Sequence, residues 1–517
     1  MTFEIVFVLL SLLGMMAALI ADKMRPGMVL FSVVVLFLCV GILTPKEMLE
    51  GFSNKGMITV ALLFLVSEGI RQSGTLGQVI KKLLPQGKTT VFKAQLRILP
   101  SVAFISAFLN NTPVVVIFAP IIKHWAKSVK LPATKFLIPL SYVTILGGIC
   151  TLIGTSTNLV VHGMILEAGY EGFTMFELGK VGIFIAIAGI IYLFIFSKRL
   201  LPDARPDTAV PDEEVEEGEK LHRVEAVLGA RFPGINKKLS DFNFQRHYGA
   251  EVKEIKTRNG QRYVDHLEDV VLREGDTLVV MADDTFIPTW GESSVFVLLT
   301  NGNDPDTSGK KKCWLALILL VLMIVGATVG ELPATKEMFP DIKLDMFFFV
   351  CITTIIMAWT NIFPARKYTK YISWDILITI ACAFAISKAM VNSGVADCVA
   401  GFIIGLSDDY GPHVLLAILF VITNLFTELI TNNAAAALAF PLALSISAQL
   451  GVSPTPFFVV ICMAASASFS TPIGYQTNLI VQGIGNYKFT DFVRIGLPLN
   501  IITFLISVIL IPLIWNF

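Results

Sequence analysis

The sequence predicts a polytopic α-helical membrane protein, built as an inverted repeat with two re-entrant hairpins and carrying a small α/β insert. Three observations lead there. Of the 517 residues, 54% are hydrophobic and only 15% are charged, against about 25% charged in ordinary globular chains. The charge is also concentrated. Residues 201–310 hold 35 of the 80 charged residues, which leaves the other 407 about 11% charged, too few to clothe a soluble surface. Finally, apolar stretches recur in two sets that share polar landmarks. A wholly soluble protein and a disordered chain are both excluded. The 40 basic and 40 acidic residues cancel, so no net field points to nucleic acid.

The elements follow in order. Apolar stretches near 3–21, 27–43, 56–70, 98–122, 136–166 and 180–197 fill residues 1–200, the first membrane repeat. Stretches near 313–330, 345–362, 374–391, 412–449, 455–484 and 493–516 fill residues 311–517, the second. Residues 3–21 lack a basic leader and a small-residue cleavage site, so they read as a retained first helix. Stretches 98–122 and 412–449 are each split, by Asn110-Asn111-Thr112 and by Thr431-Asn432-Asn433. Amides in mid-membrane are costly unless they line a cavity. A hairpin with its tip in the bilayer meets that condition.

Loop charge supplies orientation. Arg71, Lys81, Lys82, Lys88, Lys93 and Arg97 precede the first split stretch, and Lys123, Lys127, Lys130 and Lys135 follow it. The positive-inside rule therefore predicts an inner hairpin at 98–122. The second split stretch is flanked by Asp408 and Asp409 and is predicted to be an outer hairpin at 412–449. The halves also align. Ser67–Gly74 matches Ser387–Gly394, and Gly154-Thr155-Ser156-Thr157-Asn158 matches Gly474-Tyr475-Gln476-Thr477-Asn478, both at an offset of 320. The Asn-Asn pairs lie 322 apart, which pairs Asn110 with Asn432 and Asn111 with Asn433. Such repeats place a site between them at the membrane midplane.

Residues 201–310 stand outside that symmetry. An acidic, Pro-containing linker over 201–220 leads to a core at 222–287 that alternates as strands, with a helical stretch near Lys237–Phe244 and an Asn259-Gly260 hairpin turn. A second linker covers 300–312. The insert is predicted to be cytoplasmic and regulatory, dispensable for transport itself, with no residue pairing with the repeat motifs.

The chemistry implied is binding, not bond making. The seven cysteines are scattered singly, and no nucleophile–base or metal-ligand spacing occurs, so an enzyme is not expected. Four polar clusters in two symmetric pairs can instead hold ions. Asn side chains, hydroxyls and the free carbonyls of a broken helix, Asn158 and Asn478 included, ligate a cation such as sodium. The opposite half-helix N-terminus presents N–H groups to an anion. Glu428, five residues before Asn433, either ligates a cation, takes a proton, or lies near the outer mouth.

These motifs carry a resemblance. FISAFLNNTPVVVIFAPI (104–121) and TELITNNAAAALAFP (427–441) resemble the hairpin Ser-Asn-Thr motifs of the divalent anion:sodium symporter family. TLIGTSTNLVV (151–161) and TPIGYQTNLIV (471–481) are similar to its Gly-Thr-x-x-Asn unwound helices. The resemblance implies an ion transporter fold that dimerises and moves as an elevator in the cell (inner) membrane, with sodium as coupling ion and no cofactor. It implies one sodium at Ser106, Asn110, Asn111 and Gly154, and a second near Asn432, Asn433 and Gly474. Substrate would lie between Asn111-Thr112 and Asn433-Ala434, close to Thr155 and Tyr475. Ser156 and Gln476 open the two pairs that replace the Pro-Pro of dicarboxylate carriers. With Ala434 in place of a threonine, this looks more like the sulfate-permease branch. LREGDTLVVMADD (272–284) resembles the C-terminal ligand-binding module of RCK regulatory proteins, which implies a small regulatory ligand. The implied substrate is a small dianion, most simply sulfate. A dicarboxylate carrier, a proton-coupled oxyanion permease and, from another class, an RCK-gated channel are the alternatives.

Overall fold

A computed structural model describes the chain apart from residues 1, 22, 86, 88, 204–221, 230–231, 258–260, 284–285, 287–289, 291–294, 301–309, 339–341 and 406–410. The first half holds α1 (Phe3–Ala21), α2 (Pro26–Val40), α3 (Lys55–Gln72), α4 (Val91–Ser106), α5 (Asn111–Ser128), α6 (Leu137–Gly148), α7 (Ser156–Glu167) and α8 (Gly179–Leu200). Strands β1 (His222–Leu228), β2 (Glu251–Lys256), β3 (Arg262–Tyr263), β4 (Thr277–Ala282) and β5 (Phe296–Thr300) follow. The second half holds α9 (Lys310–Gly330), α10 (Met346–Trp359), α11 (Trp374–Asn392), α12 (Gly411–Leu429), α13 (Asn432–Leu450), α14 (Thr455–Ser466), α15 (Gln476–Gly485) and α16 (Phe489–Ile514). Two further helices, Thr75–Leu83 and Val395–Gly405, and shorter helical turns join them.

Among the described residues, 8 helices are long and apolar enough to cross a membrane. Their outer faces confirm the solvent. Ile183, Ile187, Ile191 and Ile195 on α8 form a row at four-residue spacing, as do Leu497, Ile501, Leu505 and Ile509 on α16, and all are about half exposed. Continuous apolar ridges of that length suit lipid, not water. The fold is a polytopic helical membrane protein of inverted-repeat type, with hairpins α4–α5 and α12–α13.

The repeat is visible in helix boundaries. α2 and α10 begin at Pro26 and Met346, and α7 and α15 at Ser156 and Gln476, all 320 apart. Gly74 and Gly394 precede matching short helices with φ of +74° and +76°, a conformation that favours glycine. In the hairpins the offset becomes 321. α5 starts at Asn111 and α13 at Asn432, and their internal prolines are Pro120 and Pro441. This corrects the sequence alignment of the Asn pairs: Asn111 corresponds to Asn432, Thr112 to Asn433, Asn110 to Thr431, and Ala434 to Pro113. The reason is local. Ser106 donates to Asn111 at 2.8 Å and Thr427 to Asn432 at 2.7 Å, each bond spanning five residues across a hairpin tip. Glu68 ion-pairs with Arg71 at 2.6 Å, whereas Lys388 lines a separate cavity with Glu50 and Glu167.

The insert is a five-stranded sheet of order β3-β2-β4-β1-β5 with antiparallel neighbours. Phe232 packs against Phe242, Tyr248 and Phe296 at centroid distances of 5.0, 5.8 and 6.0 Å. β5 lies beyond the core expected at 222–287. The Asn259-Gly260 turn, Asp408 and Asp409, Lys88 and most of both linkers fall outside the described residues. The insert touches the membrane repeats beyond their polar motifs: Lys123 of α5 meets Glu225 of β1 at 3.0 Å, and Thr277 of β4 fills the space beside Gly483 of α15.

Candidate ion and anion site

The site is built where two hairpin tips face two unwound helices. In the first repeat, residues 149–155 unwind between α6 and α7; in the second, residues 467–475 unwind between α14 and α15. Each broken segment is closed by one asparagine. Asn158 Nδ2 donates to Thr151 O at 2.9 Å and Gly148 O at 3.5 Å. Asn478 Nδ2 donates to Ser468 O at 2.9 Å and Thr471 O at 3.2 Å. Thr151 and Thr471 assist identically, accepting from Gly154 N at 3.1 Å and Gly474 N at 3.2 Å.

The tips bond across the repeats. Asn111 Nδ2 donates to the Tyr475 hydroxyl at 2.5 Å, and that hydroxyl lies 3.1 Å from Thr155 Oγ1. Thr112 donates to Gln476 Oε1 at 3.3 Å. Reciprocally, Ser156 and Thr157 of the first repeat donate to Asn433 Oδ1 at 3.3 and 3.2 Å. Thr112 and Asn433 thus make equivalent bonds to Gln476 and Ser156, which independently fixes the corrected register.

Oxygens are crowded where chain atoms leave room for nothing larger. A methyl at Gly154 would sit 2.6 Å from Gly148 O and 3.0 Å from Ala107 O; at Gly474 it would sit 2.6 Å from Thr427 O and closer still to Ser468 Oγ. In the second cluster the Thr427 hydroxyl lies 2.6 Å from Ala465 O and 2.7 Å from Asn432 Oδ1. Its single proton serves one of them at a time. In the first, Asn158 Oδ1 is buried without a hydrogen-bond partner. Neutral oxygens that outnumber their protons suit a desolvated cation.

Of the residues expected here, Ser106, Asn111, Thr155 and Tyr475 meet in one network, and Ser156 and Asn433 in another. Thr112 meets Gln476, Asn432 meets Thr427, and Gly154, Gly474, Asn158 and Asn478 shape the broken segments. Three residues stand apart. Asn110 caps α5 without a side-chain cap bond and faces a cavity shared with Ser67 and Ser156. Ala434 is buried one position past Asn433. Glu428 has its oxygens occupied by N–H donors: Ser470 N and Thr471 N at 2.8 Å each, and Asn500 Nδ2 at 2.7 Å. That makes it an anchor for the unwound segment. Sequence reasoning missed Thr151, Thr157, Thr427, Ser468 and Thr471. The repeat offset pairs Thr151 with Thr471, and that was the available signal.

A helical inverted repeat whose hairpin tips and broken helices share one polar centre is an architecture that secondary transporters use. The chain belongs to the citrate transporter family, whose profile matches residues 16–449 and 335–517. It is 29% identical to an uncharacterized transporter of Synechocystis sp., over 94% of this chain and 93% of that one. It is 30% identical to sodium/sulfate cotransporter 2 of Chlamydomonas reinhardtii, over 54% of this chain and 31% of that protein. A sodium-dependent dicarboxylate transporter of Staphylococcus saprophyticus is 25% identical over 28% of each chain. The family is one of transporters, so neither an enzyme nor a gated channel describes this chain.

Proposed function

We propose that the protein is a sodium-coupled secondary transporter of a small divalent oxyanion, and that the oxyanion is sulfate. The observation that carries this is the surplus of neutral oxygens around Gly154, Gly474 and Asn158, beside two half-helix starts whose N–H groups suit a dianion. The described residues that bond at this centre include no lysine or arginine, so a dianion would be held by neutral groups and released readily. The names of the Chlamydomonas and Staphylococcus relatives support sodium coupling and leave sulfate and dicarboxylates as the two substrate classes. Asn433 in place of a second hydroxyl at the tip favours the tetrahedral inorganic anion. In this reading Ser106, Asn111 and Asn158 hold one sodium, and Asn432, Thr427 and Gly474 a second. The protein works as a homodimer in the cell membrane, with the insert cytoplasmic as an RCK-C-like regulatory module.

Uptake of radiolabelled sulfate and succinate into proteoliposomes, under imposed sodium or proton gradients, tests it. Sulfate uptake that needs inward sodium is the expected result. Succinate uptake without sulfate competition would make it a dicarboxylate carrier, and uptake driven by protons alone would remove the sodium sites.

A further inference from the structure

We propose that the insert positions the site: Glu225 and Thr277 hold the far ends of α5 and α15, the two helices whose near ends carry Asn111 and Gln476. This rests on the reading of the Asn111–Tyr475 centre as the transport site. From Asn111 to Lys123 is 12 residues of helix, about 18 Å, and from Gln476 to Gly483 about 10 Å. Both helices therefore run from the centre directly to the insert.

Two different contacts make the junction. Lys123 Nζ donates to both oxygens of Glu225, at 3.0 and 3.2 Å, and Lys256 Nζ of β2 reaches the same carboxylate at 3.4 Å. The Glu225 side chain is 17% exposed and that of Lys256 8%. A carboxylate largely removed from water between two ammonium groups does not part from one of them cheaply, because a desolvated charge then loses half of its compensation. At α15 the contact is steric. A methyl on Gly483 would lie 2.6 Å from Thr277 Oγ1, and one on Gly275 would touch Leu479 at 3.7 Å. Val227, two residues from Glu225, belongs to the core of the membrane part.

The two contacts are rigidly linked. β1 and β4 are adjacent, with Val227 paired to Thr277 and Glu225 to Val279. One strand pair therefore sets the spacing of two helices from opposite repeats. A ligand or partner that slides β1 against β4 would alter the centre without entering it.

Hydrogen–deuterium exchange on the full chain in lipid nanodiscs tests this without any substrate. Lys123→Met should speed exchange of residues 107–113 by about fivefold or more, while Lys123→Arg stays at the wild-type rate and β1 and β4 keep their protection. Gly483→Leu should do the same for residues 471–477. Changes confined to one turn around residue 123 or 483, or equal in Lys123→Arg and Lys123→Met, overturn the proposal. If Gly483→Leu does not fold, the Lys123 pair decides alone. Failure of sulfate uptake in vesicles would overturn the substrate reading and leave these rates untouched.

Discussion

Asn158 and Asn478, 320 residues apart, close equivalent broken helices with the same two donated bonds, yet their free oxygens differ. Asn478 Oδ1 accepts from Ser141 at 2.7 Å, whereas Asn158 Oδ1 is buried without a partner. Two otherwise symmetric oxygen clusters are therefore unequal: one has an oxygen to give and the other has spent it.

Asn158→Ala and Asn478→Ala should both lower thermal stability, since each orphans two buried carbonyls at about 1–3 kcal/mol apiece. Only Asn158→Ala should also raise the half-saturating sodium concentration, by roughly tenfold for an oxygen worth about 1.4 kcal/mol. Sodium titrations of uptake that coincide for the two variants would sink the idea.

Tyr475→Phe deletes the hydroxyl that Asn111 and Thr155 share. Two buried groups lose a partner, which costs about 1–3 kcal/mol. Substrate affinity should fall at least about tenfold, read as KM for sulfate uptake. An unchanged KM would place the substrate away from Tyr475.

Asn433→Thr should move the sulfate-to-succinate preference, because Asn433 stands where Thr112 stands in the other repeat. Ala434→Thr should leave that preference unchanged and cost about 1–3 kcal/mol, since it buries a hydroxyl in a packed position. Competition assays on the two variants separate the registers; the reverse pattern would restore the pairing by Asn-Asn identity.

Glu428→Gln should destabilise the unwound segment, replacing charge-assisted bonds worth about 1.5–3 kcal/mol with an amide that faces N–H groups. The melting temperature falls and uptake is lost. A variant that melts normally but needs more sodium would make Glu428 a cation ligand after all.

The insert contact should be acid-labile. Burial would raise the Glu225 carboxyl, but Lys123 and Lys256 outweigh it and hold it down to about 2, from 4.5. A depressed folded value stabilises fully above the unfolded one, so the contribution holds at pH 5 and above and is lost as pH falls toward 2. It is on the order of 2–3 kcal/mol. Denaturation of wild type between pH 5 and 3 should be steeper than that of Glu225→Gln; parallel curves would mean the carboxylate is not ion-paired.

The sequence is legible wherever one physical rule decides. Charge density and apolar length give the membrane helices, because lipid tolerates little else. The 320 offset shows in Gly154-Thr155 and Gly474-Tyr475, where broken helices need particular residues. The hairpins mislead because Asn-Asn is a stronger textual match than the matches that matter. Ser106 with Thr427 and Pro120 with Pro441 already stand 321 apart. Contacts across the fold left no trace at all. Lys123 reads as an orienting loop charge and Glu225 falls in a segment that alternates as a strand, and only the packed chain reveals that they meet.

The reciprocal bonds between repeats also constrain how such a chain can change. Asn111 is completed by Tyr475, and Asn433 by Ser156 and Thr157. Neither half therefore completes its own hydrogen bonds, and one repeat alone would leave these amides without their partners. A substitution at the centre is therefore felt at the opposite end of the chain, as a change at Asn433 is felt at Ser156 and Thr157, which couples the two halves as one unit.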